Sequence, residues 1–382
     1  MSSTAPPLER QLLPFVAFQG AFSTLAGFGA LLVYAEGGMA ASVQYTAWML
    51  GFAMVSILSP FVLGRPLRLR GKRLVRLSFA VPAVALWWAD GHPMLLALST
   101  GGFLGWSWAA RHWLELSSLQ DAERDAYAAH VTVVTVVASL LATAVVAALL
   151  SLSDESPMAV YGSYAVLAAA ACVWAARSLP ATPVMQWEQP LVVVQQPAFK
   201  ACLPLYFLES GMLGIGMVLG AGGASQALGQ VSHYGWVSVV ATVVGAAALF
   251  SMRRKRHSGN RVRWMGLACI GMASGHLLLG ASVLHPSLYV LHLLLIACVQ
   301  PFWLASEQVL NQRAMDLHGA LADRIVVRET VLGTFRLLAL GLFWLLIREW
   351  SPTAVLLVGT AMMATAAALE WALGRAWLRR TA

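Results

Sequence analysis

Long apolar stretches, each about 20 residues and separated by short polar segments, run through most of this 382-residue chain. A helix needs about 20 apolar residues to cross a lipid bilayer. Hydrophobic residues make up 59% of the chain and charged residues 11%, whereas a soluble globular protein is about 25% charged. The composition therefore predicts a membrane protein that crosses the bilayer many times. It excludes a soluble enzyme, a disordered protein and a nucleic-acid-binding protein.

The stretches predict about twelve transmembrane helices, an all-α membrane fold with short connections. The predicted spans are residues 11–34, 43–63, 74–89, 93–114, 127–151, 157–177, 200–222, 231–251, 264–284, 287–308, 326–347 and 352–373. An even number of spans places both termini on the same side of the membrane.

Basic residues are concentrated in the loops on one side of this arrangement. The loop after the second predicted helix contains Arg65, Arg68, Arg70, Lys72, Arg73 and Arg76, and the loop after the eighth contains Arg253, Arg254, Lys255, Arg256, Arg261 and Arg263. The positive-inside rule predicts that these loops and both termini are cytoplasmic. The net charge of +8 is thereby explained by topology, and it does not require a nucleic-acid partner.

Cysteine usage and the N-terminal residues indicate the location of the protein. The four cysteines have no close pair in sequence, so neither a disulfide framework nor a zinc site is expected. The N-terminal segment lacks a signal-peptide pattern. We expect a multi-pass protein of a bacterial inner membrane, because the loops show no targeting or glycosylation-rich sequence.

A proline-rich connection divides the chain into two halves. Residues 178–198 contain Pro180, Pro183, Pro190 and Pro197. The predicted domains are an N-terminal six-helix bundle at 1–177, a cytoplasmic loop at 178–198 and a C-terminal six-helix bundle at 199–382.

The second half repeats the first at an offset of about 190 residues. LeuProPheValAlaPheGln (13–19) aligns with LeuProLeuTyrPheLeuGlu (203–209), so Gln19 and Glu209 become equivalent. SerProMetAlaVal (156–160) likewise aligns with SerProThrAlaVal (351–355). Repeats of equal topology are typical of secondary transporters whose site lies at the repeat interface.

The loop between the second and third helices carries a more specific sign. In GlyArgProLeuArgLeuArgGlyLysArg (64–73), two glycines seven residues apart precede a basic pair. With the six-plus-six arrangement and the long central loop, this segment resembles the major facilitator superfamily over nearly the whole chain. Gly64, Gly71, Lys72 and Arg73 match the family motif, and Arg68 occupies its acidic position. The resemblance implies two pseudo-symmetric six-helix bundles, alternating access and a functional monomer.

Ionisable residues inside a membrane are costly and mark functional sites. Glu209 lies about mid-membrane on the seventh predicted helix, which by the resemblance lines the central cavity. It is the predicted proton carrier, with Gln19 contributing a hydrogen bond from the equivalent position. Arg336 could pair with Glu209, bind an anionic group or hold its helix in the bundle.

Other polar and aromatic residues are candidates for substrate contact, proton coupling or gating. Arg111 and Glu115 lie four residues apart and share a helix face. They form either an interfacial cluster or an inner-gate or substrate-contacting cluster. The remaining candidates are Glu307, Glu329, His292, Trp106, Trp108 and Trp303. The tryptophans are expected as cavity walls, and Glu307 and Glu329 as gate residues or interhelical salt bridges.

Methionines and histidines raise one alternative function. Met272 and His276 share a helix face, and Met212 and Met217 lie on the seventh helix, where soft ligands would suit Cu(I). Methionine is also a common apolar filler, so the main expectation is that the protein holds no metal and no cofactor.

The sequence therefore predicts a secondary transporter of the major facilitator type, moving a small solute with protons across the bilayer. A copper importer of the same family and a non-transporting assembly or sensor protein remain alternatives. No phosphate loop, GxSxG or HExxH motif occurs, so we expect that it is not an enzyme.

Overall fold

The computed structural model describes residues 8–118, 121–252, 261–315 and 318–380. Within these ranges the structure describes only the backbone of residues 8, 9, 118, 121–126, 128, 129, 209, 252, 261, 304–315 and 377–380. Across the described residues every regular element is helical, as the apolar pattern predicts.

The helices follow one another with short connections. Those of the first half are α1 (Leu8–Ser23), α2 (Leu25–Val62), α3 (Gly64–Leu67), α4 (Gly71–Ala85), a 3₁₀ turn (Leu86–Trp88), α5 (Pro93–Ser118), α6 (Asp121–Leu152) and α7 (Pro157–Trp174). Those of the second half are α8 (Pro190–Gln195), α9 (Pro197–Tyr206), a π-helical turn (Phe207–Gly211), α10 (Leu213–Leu228), α11 (Val231–Met252), α12 (Arg261–Ala281), α13 (Pro286–Met315), α14 (Leu321–Ile347) and α15 (Pro352–Arg380).

The first two predicted spans are separated by a single residue rather than by a loop. Gly38 has φ 66° and ψ −157° within α2, and a Cβ placed there would meet no atom within 4 Å. Glycine is therefore required here by backbone conformation and not by crowding. The predicted connection at 35–42 is otherwise helical.

The seventh predicted span is interrupted in its middle. Pro204 lies inside α9, and the chain then passes through the π-helical turn before α10 begins. Proline lacks the N–H that an α-helix uses, and π-helical turns often occur at functional sites. The backbone of Glu209 and Ser210 belongs to this turn.

Eight helical segments of the described residues are long and apolar enough to cross a membrane. One of them, Arg10–Val62, has 53 residues and contains the break at Gly38. Each of the twelve predicted spans overlaps a helix, and the protein is a multi-pass, all-helical membrane protein. The number twelve is not confirmed, because the remaining segments are shorter or more polar.

The chain forms two compact units. Unit 1 contains Met1–Phe28, Trp48–Pro190 and Gly319–Thr330, and unit 2 contains Gly29–Ala47, Leu191–His318 and Val331–Ala382. Both α2 and α14 contribute residues to each unit. The predicted domain boundary at 178–198 stays a prediction.

Aromatic side chains fill the interior of unit 1. The ring of Phe22 on α1 lies 4.4 Å from that of Phe103 on α5 and 5.6 Å from that of Tyr164 on α7, measured between centroids. Phe22 and Phe103 are fully buried. This packing fixes α1 against α5, the two helices that carry the polar residues described next.

Candidate functional site

A polar network of unit 1 begins at Gln19 on α1. Its Nε2 donates a hydrogen bond to Ser107 Oγ at 3.2 Å, and its Oε1 accepts one from Arg111 Nη1 at 3.1 Å. Gln19 is 2% exposed and Ser107 is fully buried. The amide therefore links α1 to α5 through both of its polar atoms.

Arg111 and Glu115 form an ion pair on α5. Arg111 Nε donates to Glu115 Oε1 at 2.7 Å, and the two side chains are 13% and 15% exposed. Tyr127 on α6 donates its hydroxyl to the same oxygen at 2.7 Å. One carboxylate oxygen is thus held by a cation and a phenol from two helices, a charge-assisted arrangement.

Trp108 and His112 lie beside this pair. The Cζ atom of Arg111 lies 4.8 Å from the centroid of the Trp108 ring, within the range of a cation–π interaction. The rings of Trp108 and His112 are 5.5 Å apart. Trp106 instead contacts α2, where its Nε1 donates to Ser59 Oγ at 3.0 Å. Only one of the two predicted tryptophans of α5 therefore contacts the arginine.

Glu329 on α14 belongs to the same unit. Arg328 Nη1 donates to Glu329 Oε1, and His112 Nε2 lies 3.8 Å from that oxygen. Glu329 is buried. Through His112, this acid lies next to the α5 cluster. Its ion pair with Arg328 lies within α14, so the predicted gate or interhelical salt bridge stays a prediction.

In unit 2, Arg336 contacts the π-helical turn. Its Nε donates to Ser210 Oγ at 2.9 Å and its Nη2 donates to the same atom. The side chains of Glu209 and Glu307 lie outside the part of the chain that the structure describes. The predicted pairing of Glu209 with Arg336 therefore stays a prediction. Arg336 contacts Ser210, the residue that follows Glu209 in the turn.

Trp303 on α13 donates its Nε1 to Glu370 Oε2 on α15 at 2.9 Å. Glu370 is 2% exposed, and sequence reasoning missed it because it lies near the end of the last predicted span. The available signal was one acid inside the apolar run AlaAlaAlaLeuGluTrpAlaLeu (366–373). Trp303 is thus a hydrogen-bond donor to a buried acid and not merely an apolar wall.

His292 on α13 is tied to α12. Its Nδ1 lies 2.7 Å from the carbonyl oxygen of Gly275, so this nitrogen carries the proton and donates. Among the described side chains, no group of three or more His, Cys, Asp and Glu could hold a metal ion. The proposed soft-ligand set of Met212, Met217, Met272 and His276 contains too few of these residue types to be tested by that finding.

The glycines of the loop motif lie against the connector, defined here as residues 178–198. A Cβ on Gly64 would lie 1.6 Å from the carbonyl oxygen of Met185. A Cβ on Gly71 would lie 2.9 Å from Leu114 Cγ and 3.3 Å from Thr182 Oγ1, and the Gly71 N–H donates to that hydroxyl at 3.0 Å. Close approach of the connector explains Gly64, whereas Leu114 of α5 together with Thr182 of the connector explains Gly71.

The basic pair of the motif also contacts backbone. Lys72 Nζ donates to the carbonyl of Arg177 at 3.3 Å, and Arg73 Nη1 donates to that of Leu67 at 2.9 Å. Arg68, in the family's acidic position, has a left-handed backbone conformation (φ 47°) at the end of α3. The motif therefore holds the loop together through backbone hydrogen bonds.

Comparison with known proteins establishes the fold. No protein-family model and no curated protein sequence matches the chain. Solved structures do match: the nucleoside transporter NupG (TM-score 0.64, 15% identity, 96% of this chain and 99% of that chain) and the human organic anion transporter MFSD10 (TM-score 0.64, 16% identity, 97% and 100%). A POT family transporter in complex with 5-aminolevulinic acid also matches (TM-score 0.61, 12% identity, 94% of each chain).

These three structures are transporters of the major facilitator type. The chain has their fold over nearly its full length, which confirms the fold resemblance seen in the sequence.

Proposed function

We propose that the protein is a proton-coupled secondary transporter that moves a small solute across a bacterial inner membrane by alternating access. The observation that supports this most directly is the Gln19–Arg111–Glu115–Tyr127 network of unit 1. Ionisable residues inside a membrane are costly and often mark functional sites. A protein with apolar side chains of similar size in place of a buried ion pair is often equally or more stable, so the presence of the pair suggests a function.

The network contains the parts needed to couple a proton to a solute. The Glu115 carboxylate holds the Arg111 guanidinium through Nε and accepts the Tyr127 hydroxyl. Protonation of Glu115 removes its charge and weakens its hold on Arg111. The guanidinium then binds an acidic group of the solute through two parallel N–H donors. Solute binding and proton binding thereby favour each other, as linkage requires.

Glu209 is the second proposed proton carrier. It occupies the π-helical turn beside Ser210, the hydroxyl that accepts from Arg336, and it is the repeat equivalent of Gln19. The second half has an acid at this position and the first half has an amide. At this pair of positions, only the second half could therefore carry the proton. Substitution of each acid separately decides between Glu115 and Glu209.

The structural neighbours narrow the solutes worth testing. They are a nucleoside transporter, an organic anion transporter and a POT family transporter in complex with 5-aminolevulinic acid. An arginine in the network favours solutes that carry a carboxylate. We therefore rank organic anions and amino-acid-like zwitterions above nucleosides for this chain.

Uptake into proteoliposomes with an imposed pH gradient tests the proposal. The solutes are succinate, 5-aminolevulinic acid, a dipeptide and uridine, and the variants are Glu115→Gln and Glu209→Gln. Glu349→Gln is the control, because that side chain is 82% exposed. We expect gradient-driven uptake of a carboxylate in wild type and control, with loss in at least one of the two variants.

Uptake at a rate that does not depend on the imposed pH gradient would overturn proton coupling. A complete absence of flux for all four solute classes, from protein that is folded by thermal shift, would favour the non-transporting alternative. Retention of gradient-driven uptake in both variants would remove Glu115 and Glu209 from the coupling mechanism.

A further inference from the structure

The first part of the connector follows a fixed path in unit 1. Five hydrogen bonds of its residues are described: Ser178 Oγ to the Gln11 carbonyl (2.8 Å), Gly71 N to Thr182 Oγ1 (3.0 Å), Trp113 Nε1 to the Pro183 carbonyl (3.2 Å), Met185 N to the Leu69 carbonyl (3.0 Å) and Trp187 N to the Phe61 carbonyl (3.5 Å). A linker that only joined two bundles would not need this series of contacts.

The series ends at a buried carboxylate on α14. Asp323 Oδ1 accepts the backbone N–H of Glu188 at 2.7 Å, and Oδ2 accepts that of Gln189 at 2.9 Å. Asp323 is 2% exposed, whereas Glu188 and Gln189 are exposed residues. Both oxygens of one ion are therefore satisfied by consecutive residues of the connector. Hydrogen bonds to a charged acceptor are about twice as strong as neutral ones.

The position of Asp323 makes these two bonds important for movement. Residues 319–330, which include the beginning of α14, belong to unit 1, whereas the rest of this helix, from Val331 onward, belongs to unit 2. A rearrangement that takes residues 319–330 away from the rest of unit 1 must break both bonds. The buried carboxylate would then lose both donors at once, which is costly for a charged group.

We infer that Asp323 is a latch residue: its two hydrogen bonds hold the connector and the beginning of α14 in one conformation, and their release is a step of the transport cycle. This inference depends on the proposed function for its second part only. The first part, the fastening itself, concerns contacts within unit 1 and is testable without any solute.

A separate contact in unit 2 supplies a matched control. Gln196 Nε2 donates to the His318 carbonyl at 2.7 Å, and Gln196 Oε1 accepts the His318 N–H at 3.0 Å. This pair joins a later part of the connector to the residues that precede α14. Because this pair includes neither Asp323 nor its two donors, its loss should leave the Asp323 contacts in place.

Hydrogen–deuterium exchange of the full-length protein tests the latch. The variant is Asp323→Asn, which keeps the size of the side chain but turns an N–H₂ group toward one of the two donors. The controls are Gln196→Ala and Asp90→Asn, an exposed acid. We expect the amides of Glu188 and Gln189 to exchange at least about tenfold faster in Asp323→Asn alone, with those of Met185 and Trp187 also accelerated.

Cleavage by a glutamate-specific protease after Glu188 gives an independent reading, and we expect it to be faster only in Asp323→Asn. Unchanged exchange and cleavage, or acceleration confined to Glu188 and Gln189, would overturn the fastening of the connector. A solute that is transported but leaves wild-type exchange at these amides unchanged would overturn the release step and keep the proposed function. Absence of any flux would overturn the proposed function, and the exchange data would still decide the fastening.

Discussion

Two regions of the molecule, the α5 cluster of unit 1 and the π-helical turn of unit 2, differ in the partners described for their charged side chains. In unit 1, Arg111 is paired with Glu115, and Glu329 with Arg328. In unit 2, Arg336 donates to the neutral Ser210 hydroxyl, and the buried Glu370 accepts from the neutral Trp303 indole. Removing one member of an ion pair leaves an uncompensated charge, whereas removing a neutral partner loses a hydrogen bond. A proton is therefore expected to alter unit 1 more strongly than these contacts of unit 2.

The largest expected effect breaks the ion pair. Arg111→Ala leaves Glu115 buried with the Tyr127 hydroxyl as its remaining described donor, and we expect a loss of about 3–5 kcal/mol of stability. Unfolding in detergent measures it. The double variant Arg111→Leu with Glu115→Leu should cost less, because no charge is left unpaired. A double variant as unstable as Arg111→Ala would show that packing, not charge, is responsible.

Ser210→Ala is the corresponding test in unit 2. It removes the hydroxyl that accepts two bonds from Arg336, and we expect a loss of about 1.5–3 kcal/mol. The same unfolding assay applies, with Ser163→Ala as a control for loss of a serine hydroxyl that donates to the Val160 carbonyl of its own helix. A loss equal to that of Arg111→Ala would remove the difference between the units.

A steric change without any charge sharpens the comparison within unit 1. Gly64→Ala would place a Cβ 1.6 Å from the Met185 carbonyl oxygen, and the connector must move to admit it. We expect a loss of about 1–3 kcal/mol. Gly51→Ala is the control, because a Cβ there meets nothing within 4 Å. Equal stability of the two variants would contradict the fixed path of the connector.

The smallest expected effect concerns Glu370. Trp303→Phe keeps most of the ring and removes the Nε1 donor, for an expected loss of about 1–2 kcal/mol. Glu370→Gln retains a side-chain acceptor for the indole and should cost less. Tryptophan fluorescence during unfolding follows both variants. If Glu370→Gln were the more damaging of the two, the charge on Glu370 would matter beyond this hydrogen bond.

Sequence patterns predicted most of the fold because the bilayer imposes a strict length on apolar helices. They did not predict that the connection at 35–42 is helical on both sides of Gly38. A pair of glycines is compatible either with a loop or with a helix that is broken at one residue. Nor did they predict the number of segments that qualify as spans, because Pro204 and the π-helical turn divide one of them.

The site was predictable by residue type but not by partner. Gln19, Arg111 and Glu115 stood out as polar residues in apolar helices, and the four-residue spacing predicted the contact on α5. Their link to one another depends on residues far apart in the chain, since Gln19 and Arg111 are separated by 92 positions. Tyr127 and Asp323 were missed as site residues because hydroxyls and acids near helix ends are ordinary in sequence.

The connector also determines where this polypeptide can be divided. Residues 178–190 are bonded to α1, α5 and the Gly64–Gly71 loop, so they belong with the first half although they look like a spacer. If the two halves were produced as separate polypeptides, a break after residue 177 would strip the first half of this segment, and a break after residue 190 would keep it. We expect complementation from two separately encoded fragments only with the later break point.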